Sequence, residues 1–406
     1  MKQSKPSMHL SKQIVIGIQF LFVAFGATVL VPLLVGIDPS IALFSAGVGT
    51  LLFHLITKGK VPVYLGSSFA FIAPIVEATK LFGLAGTLSG LIAVGFVYIS
   101  VSALIKVRGL GFIERLFPSV VVGPVIMVIG LSLASAGVDM AKTDWLIAVV
   151  SLLTAVLVVI YTKGLIKLIP VFMGIVAGYA LSMILGRVDY TPIVEADWIS
   201  LPPFVMPEWS WKAIVYMIPV AIAPLIEHVG DMYAIGAVAN KNFVKDPGLH
   251  RTMLGDGIAT SFAAIIGSVP NTTYSEVTGA ISLTKITDPK ILRISAITAI
   301  CFSVIGKISG LLKSIPQAVL GGIMLLLFGM IASVGIRTLV ESKANLTKTR
   351  NQVIVSIILT VGIGGAVIEF GNFSLAGIGL ASMVGVILNL ILPDRSKPVH
   401  IDEEHE

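Results

Sequence analysis

Pro62-Val63-Tyr64-Leu65-Gly66-Ser67-Ser68-Phe69 and Gly267-Ser268-Val269-Pro270-Asn271-Thr272-Thr273-Tyr274-Ser275-Glu276 decide how this chain folds. Both stretches sit inside long apolar regions, yet both carry proline and small polar residues where a helix would be apolar. Proline removes a backbone donor, and the glycine, serine and threonine around it read as extended backbone. Extended backbone cannot face lipid, because its N–H and C=O groups find no partner there. Two such stretches therefore imply that they pair with each other or share a polar cavity.

The surrounding composition says that lipid is the solvent. Hydrophobic residues make up 56% of the chain and charged residues only 12%, about half the charged share of a soluble domain. Hydropathy windows place about 14 spans, over 13–35, 39–57, 62–79, 84–105, 118–138, 145–161 and 168–185, then 211–232, 253–269, 270–284, 291–312, 316–336, 353–370 and 375–392. The first span is too long for a signal-peptide core and lacks a small-residue cleavage site, so it reads as retained. Alternating the connectors from a cytoplasmic N-terminus puts about 22 of the 28 Lys and Arg residues inside. The connector from Arg187 to Glu208 falls outside, lies along the surface and joins two halves. An odd number of spans per half makes the second half enter from the opposite side, as an inverted repeat, with a broken span third in each. The tail 394–406 is polar and extends into water.

The net charge of +6 is scattered over short connectors, with no basic arm, so nucleic acid is not a partner. Cys301 stands alone, which excludes a disulfide, and reads as a small buried residue. No Walker motif, metal-ligand spacing or nucleophile elbow occurs, so no cofactor, ATP-driven pump or common hydrolase is indicated. The Asn271-Thr272-Thr273 sequon lies inside the membrane and is no glycosylation site. His54 reads as interfacial, and His250 with Arg251 as part of a basic loop.

Three acids are candidates for chemistry. Glu227 lies deep in a span behind Pro224, where a lone carboxylate is costly and functional by default. Asp231 follows it by one helical turn, on the same face. Asp231 reads equally as half of a proton-binding pair or as a structural hydrogen-bond acceptor. His228, between them, reads as packing at least as well as function. Glu276 follows the second broken stretch. There a half-helix N-terminus and free N–H groups from Tyr274 to Glu276 would meet carbonyl oxygens, while the carboxylate accepts from ring N–H groups. Phe69 ends the first stretch and offers a stacking face. Such a set suits a small planar ligand with alternating donors and acceptors.

Phe25-Gly26-Ala27-Thr28-Val29-Leu30-Val31-Pro32, Tyr64 to Phe71, Glu227-His228-Val229-Gly230, Asp246-Pro247-Gly248-Leu249-His250-Arg251 and Pro270 to Tyr274 together resemble the nucleobase–ascorbate transporter family, within it the bacterial uracil permeases. The resemblance implies an all-α polytopic membrane protein: 14 segments in two inverted repeats of seven, with short antiparallel strands in segments 3 and 10. It implies a core domain from 13–107 and 211–313 and a gate domain from 108–210 and 314–393. It also implies a homodimer in the inner membrane, both termini cytoplasmic, importing uracil with protons. Glu227 and Glu276 match substrate-binding acids, and Phe69, Tyr274 and the backbone at Ser275 match substrate contacts. Ala27 matches a position beside the base. Three departures stand out: Val277 where the family signature has asparagine, Asp231 where some members have histidine, and Phe328 in the gate where some have tyrosine. Glutamate rather than glutamine at 276 favours uracil over the purines xanthine and urate. Two acids at the site count against an anion exchanger or channel on the same fold.

Overall fold

The helix Trp145–Tyr161 shows which solvent surrounds the protein. Its inward residues Ile147, Ala148, Ser151, Ala155 and Val158 are small or branched and buried. Leu146, Val149, Leu153, Leu157 and Ile160 point outward with 40–62% of their surface uncovered. A helix more apolar outside than inside is stable only in hydrocarbon. The computed structural model describes residues 9–109, 111–164, 166–370 and 373–393; the expected polar tail at 394–406 lies outside them.

Helices dominate, and among the described residues six are individually long and apolar enough to cross a bilayer: Leu10–Leu34, Pro39–Ile56, Phe69–Arg108, Ser119–Ala141, Trp211–Ala239 and Gln317–Glu341. Shorter apolar helices occupy Trp145–Tyr161, Pro170–Ile184, Thr349–Ile363 and Gly377–Ile391. By length, then, six helices qualify where hydropathy windows give about 14 spans. Part of the difference is geometric. Phe69–Arg108 contains two expected spans joined at Gly83, whose φ of 71° and ψ of 165° break the helix.

The helices pack as two groups. In one, the Leu249–Ile265 helix packs on Pro39–Ile56 and on Ile72–Arg108, and Pro289–Ser303 packs on Leu10–Leu34 and Pro39–Ile56. In the other, Gln317–Glu341 packs on Ser119–Ser132, Ala134–Ala141, Trp145–Tyr161 and Pro170–Ile184. Each group has a reciprocal glycine contact that lets backbones touch. A Cβ on Gly95 would stand 2.7 Å from the Gly257 carbonyl, and one on Gly123 would stand 2.9 Å from that of Gly335. Small residues at crossings are how membrane helices gain packing without a hydrophobic driving force. Between the groups, Phe22 and Phe25 meet Phe172 at centroid distances of 5.0 and 5.9 Å.

Several readings need correction. The span expected over 291–312 is two helices, Pro289–Ser303 and Gly306–Lys313, bent by 84°. The connector clamps this bend: Gly306 N–H donates to the Trp198 carbonyl at 3.2 Å and Ser200 N–H to that of Val304 at 3.0 Å. The span over 353–370 ends its helix at Ile363, and β3 (Val367–Phe370) pairs with β4 (Phe373–Ala376) in an unexpected hairpin. Cys301 is exposed rather than buried, because it lies on the outer face of its helix. His54 is 3% exposed, not interfacial, and its Nε2 lies 2.9 Å from the Val63 carbonyl. His250 and Arg251 stand in the first turn of the Leu249–Ile265 helix instead of a loop.

Asp38 fastens one end of the first group. Its carboxylate accepts from Ser40 N–H at 2.8 Å as the N-cap of Pro39–Ile56, accepts from Ser309 Oγ at 3.0 Å, and pairs with Lys313. Burial raises this carboxyl, but the hydrogen bonds from Lys313 and Ser40 outweigh it and hold it below the usual carboxylate range. A depressed carboxyl stabilises the fold above its unfolded pKa and loses that contribution as pH falls through the folded one. Asp38→Asn is expected to lower the melting temperature at neutral pH, by the equivalent of about 1–2 kcal/mol. The gap to the unmodified protein should close under acid conditions; a pH-independent gap in a melting series contradicts the account.

Candidate substrate site

The two broken stretches meet. β1 (Leu65–Ser67) and β2 (Asn271–Thr273) pair antiparallel, with Leu65 opposite Thr273, Gly66 opposite Thr272 and Ser67 opposite Asn271. Ser68 N–H donates to the Pro270 carbonyl at 3.1 Å and Tyr274 N–H to that of Tyr64 at 3.2 Å, which extends the ladder at both ends. The outer edges are closed by threonines. Leu65 N–H donates to Thr50 Oγ1 at 2.9 Å, and Thr260 Oγ1 donates to the Asn271 carbonyl at 2.9 Å. The Asn271 side chain donates to the Ser45 carbonyl at 2.8 Å, so it is fully engaged as a tether.

A half-helix leaves each strand. The first begins with the tight turn Phe69–Phe71 and continues from Ile72; the second is Ser275–Thr284. Neither has a side-chain cap at its start. Uncapped first-turn amides carry partial positive charge and favour oxygen acceptors.

Asp231 orients the second of these starts. Its Oδ2 accepts from Thr273 Oγ1 and its Oδ1 from Ser275 Oγ, both at 2.6 Å, so the carboxylate joins the Ile222–Ala239 helix to β2. Of the two readings open for Asp231, the geometry supplies the structural acceptor, directed at the second broken stretch. Glu227, one turn earlier, is accessible, and Glu276 and Ser275 are accessible on the second half-helix. Gly230 and Gly279, on the same two helices, have nothing within 4 Å of where a Cβ would stand. The two helices are in contact. An open, acid-lined space thus adjoins the strand crossing.

The remaining expected residues fall at graded distances from it. Tyr274 is 5% exposed; its hydroxyl donates to the Ser67 carbonyl at 2.8 Å and lies 3.3 Å from Thr28 Oγ1. Its ring lies over Gly66, making it a staple across the strands. Ala27, 8% exposed, precedes Thr28 in the Leu10–Leu34 helix. Phe69 is half-buried at the start of the first half-helix. Phe328, 1% exposed, is enclosed in the second helix group, so its ring is not presented to the open space.

Sequence reasoning missed Asp256, a fourth acid that is fully buried between Gly255 and Gly257. His228 Nδ1 faces its Oδ2 at 3.3 Å, while Nε2 lies 3.0 Å from Thr252 Oγ1. Thr252 donates its own proton to the Leu249 carbonyl, so Nε2 of His228 is the donor to Thr252. Nδ1 is left facing the Asp256 carboxyl, with both side chains shut off from solvent. The rule that flagged Glu227, an acid deep in an apolar span, also finds Asp256.

Paired half-helices around an acid-lined opening in a multi-pass helical protein are the arrangement of a membrane transporter. A permease-family model matches residues 11–370, and the chain belongs to that family. A probable uracil permease of Haemophilus influenzae is 49% identical over 96% of both chains. The uracil permease of Bacillus caldolyticus is 43% identical, covering 97% of this chain and 94% of its own, and that of Escherichia coli K12 is 39% identical, covering 94% and 91%. Among solved structures, SLC26A9 superposes with a TM-score of 0.69 at 12% identity, covering 96% of this chain and 66% of its own. The transmembrane domain of the cyanobacterial bicarbonate transporter BicA gives 0.61 at 15%, covering 94% and 98%. These two show a shared fold.

Gly66 is the position where the crossing tolerates no side chain. A Cβ there would stand 2.5 Å from Cζ of Tyr274. Gly66→Ala is expected to displace the ring and lower stability by about 1–3 kcal/mol, with substrate uptake reduced; unchanged melting and uptake in the purified variant refutes the staple.

Proposed function

We propose that the chain imports uracil across the cytoplasmic membrane by proton symport, with a core domain moving against a gate domain. The observation that carries this reading is the pair of accessible carboxylates, Glu227 and Glu276, beside an uncapped half-helix start held by Asp231. Uracil is planar, with two ring N–H donors and two carbonyl acceptors. The acids accept from the N–H groups, the first-turn amides at Ser275 and Glu276 donate to a carbonyl, and Phe69 stacks on the ring. Tyr274 and Ala27 shape the wall, and Phe328 packs inside the gate behind it. The names of the relatives support the substrate.

Protonation supplies the coupling. Bringing an intramembrane carboxylate past the gate is costly, and neutralising the accessible Glu227, while Asp231 keeps its two hydroxyl partners, removes that cost. The core in this reading is 13–107 with 211–313 and the gate 108–210 with 314–393, and the packing of helices in two groups supports the division. In this reading the spans number 14, in two inverted repeats of seven, and the unit is a homodimer in lipid with both termini cytoplasmic. Ion pairs such as Lys60–Asp246 and Lys313–Asp38 join connectors assigned to the same side, which supports the alternation.

Labelled uracil is expected to accumulate in proteoliposomes under an inwardly directed proton gradient and to stop when the gradient is collapsed. Glu227→Gln should abolish accumulation, with binding weakened on the order of ten- to a hundredfold, the size of a lost charged hydrogen bond. Gradient-independent uptake eliminates proton coupling; displacement by xanthine but not by uracil eliminates the substrate.

A further inference from the structure

A basic pocket of about 340 Å³, none of whose lining residues belongs to the strand pair, lies between the end of the Ile72–Arg108 helix and the start of Leu249–Ile265. Lys106 comes from the first helix, and His250 and Arg251 come from the second. The two ends are fixed to each other, since the buried Ser102 hydroxyl donates to the His250 carbonyl at 2.5 Å. Among the described residues no carboxylate lines the pocket, so its positive charge is uncompensated from within. Ile56, Ile99, Ala103 and Leu254 complete its wall with Ser102, and the neighbouring Leu55 and Phe96 are exposed.

We propose that this pocket holds the phosphate of an anionic phospholipid, with the acyl chains lying along the apolar wall. Two features select that ligand. Cations at the end of a span attract anionic headgroups because charge there meets the lipid phosphate at low dielectric. A soluble phosphate would use the cations alone and leave the isoleucines and leucine without an occupant. Long basic side chains also reach the interface while their stems cover apolar surface. A lipid at this point joins two helices of the group that carries Glu227 and Glu276, and its binding is read independently of transport.

Native mass spectrometry of the purified full chain, with dioleoyl phosphatidylglycerol and dioleoyl phosphatidylcholine compared, tests the site. Phosphatidylglycerol should be retained preferentially, and Lys106→Gln with Arg251→Gln should reduce its retention on the order of tenfold. Lys163→Gln with Lys167→Gln removes the same charge elsewhere and should leave retention unchanged. Equal retention of both lipids by the unmodified protein overturns the proposal without reference to any variant. So does an equal loss in the two double variants, which would mean diffuse charge attraction. Complete displacement of the lipid by millimolar inorganic phosphate would mark a free-anion site and overturn the lipid assignment.

Discussion

Extended backbone in the middle of a membrane must find every hydrogen bond inside the protein, and the pairing of β1 with β2 answers that requirement. Three residues on each strand are too few to close their own edges, so neighbours complete the task. Thr50 serves β1 and Thr260 serves β2, each from the helix that precedes its strand. Ser45 holds Asn271, and Gly66 leaves room for Tyr274 to reach the Ser67 carbonyl. The crossing thereby fixes where both half-helices begin. Their first turns start near one place because the strands that lead into them are bonded to each other.

Placing helix starts there invites negative charge, and the acids divide into two kinds. Asp231 spends both oxygens on hydroxyls, and Asp256 faces His228 in a sealed space. Glu227 and Glu276 remain accessible. Acids with fixed partners hold geometry; acids without them are free to meet a ligand or a proton. SLC26A9 and BicA share the fold at 12% and 15% identity, so the scaffold itself does not name a substrate. The side chains around the crossing must do so.

Much of the crossing was legible because it violates its surroundings. Proline, serine and threonine in an apolar run conflict with a helix, and the conflict marked both strands and their partnership. Elsewhere there was no conflict to read. The bend after Ser303 falls at Val304 and Ile305, as apolar as any span residue, and is produced by hydrogen bonds from the distant Trp198 connector. β3 begins Val367-Ile368, β-branched residues equally at home in a membrane helix. His54 sits one turn before a lysine, and hydropathy could not foresee that the Val63 carbonyl would turn back to meet it. Asp256 is a different case, since its signal was present in the sequence and went unused.

The crossing also limits how a transporter of this design can move. Separating β1 from β2 would orphan several backbone groups away from water, at about 1–3 kcal/mol for each. Repacking the reciprocal glycine contact of Gly95 and Gly257 would open a gap that no side chain fills. Where the two helix groups meet at Phe22, Phe25 and Phe172 the contact is of another kind. Rings that pack without directed bonds can slide and repack at smaller cost than a hydrogen-bonded ladder can open. The cheaper motion keeps the strand pair, both half-helices and the acids together as one body. A ligand held between Glu227 and Glu276 would then travel with its whole binding site.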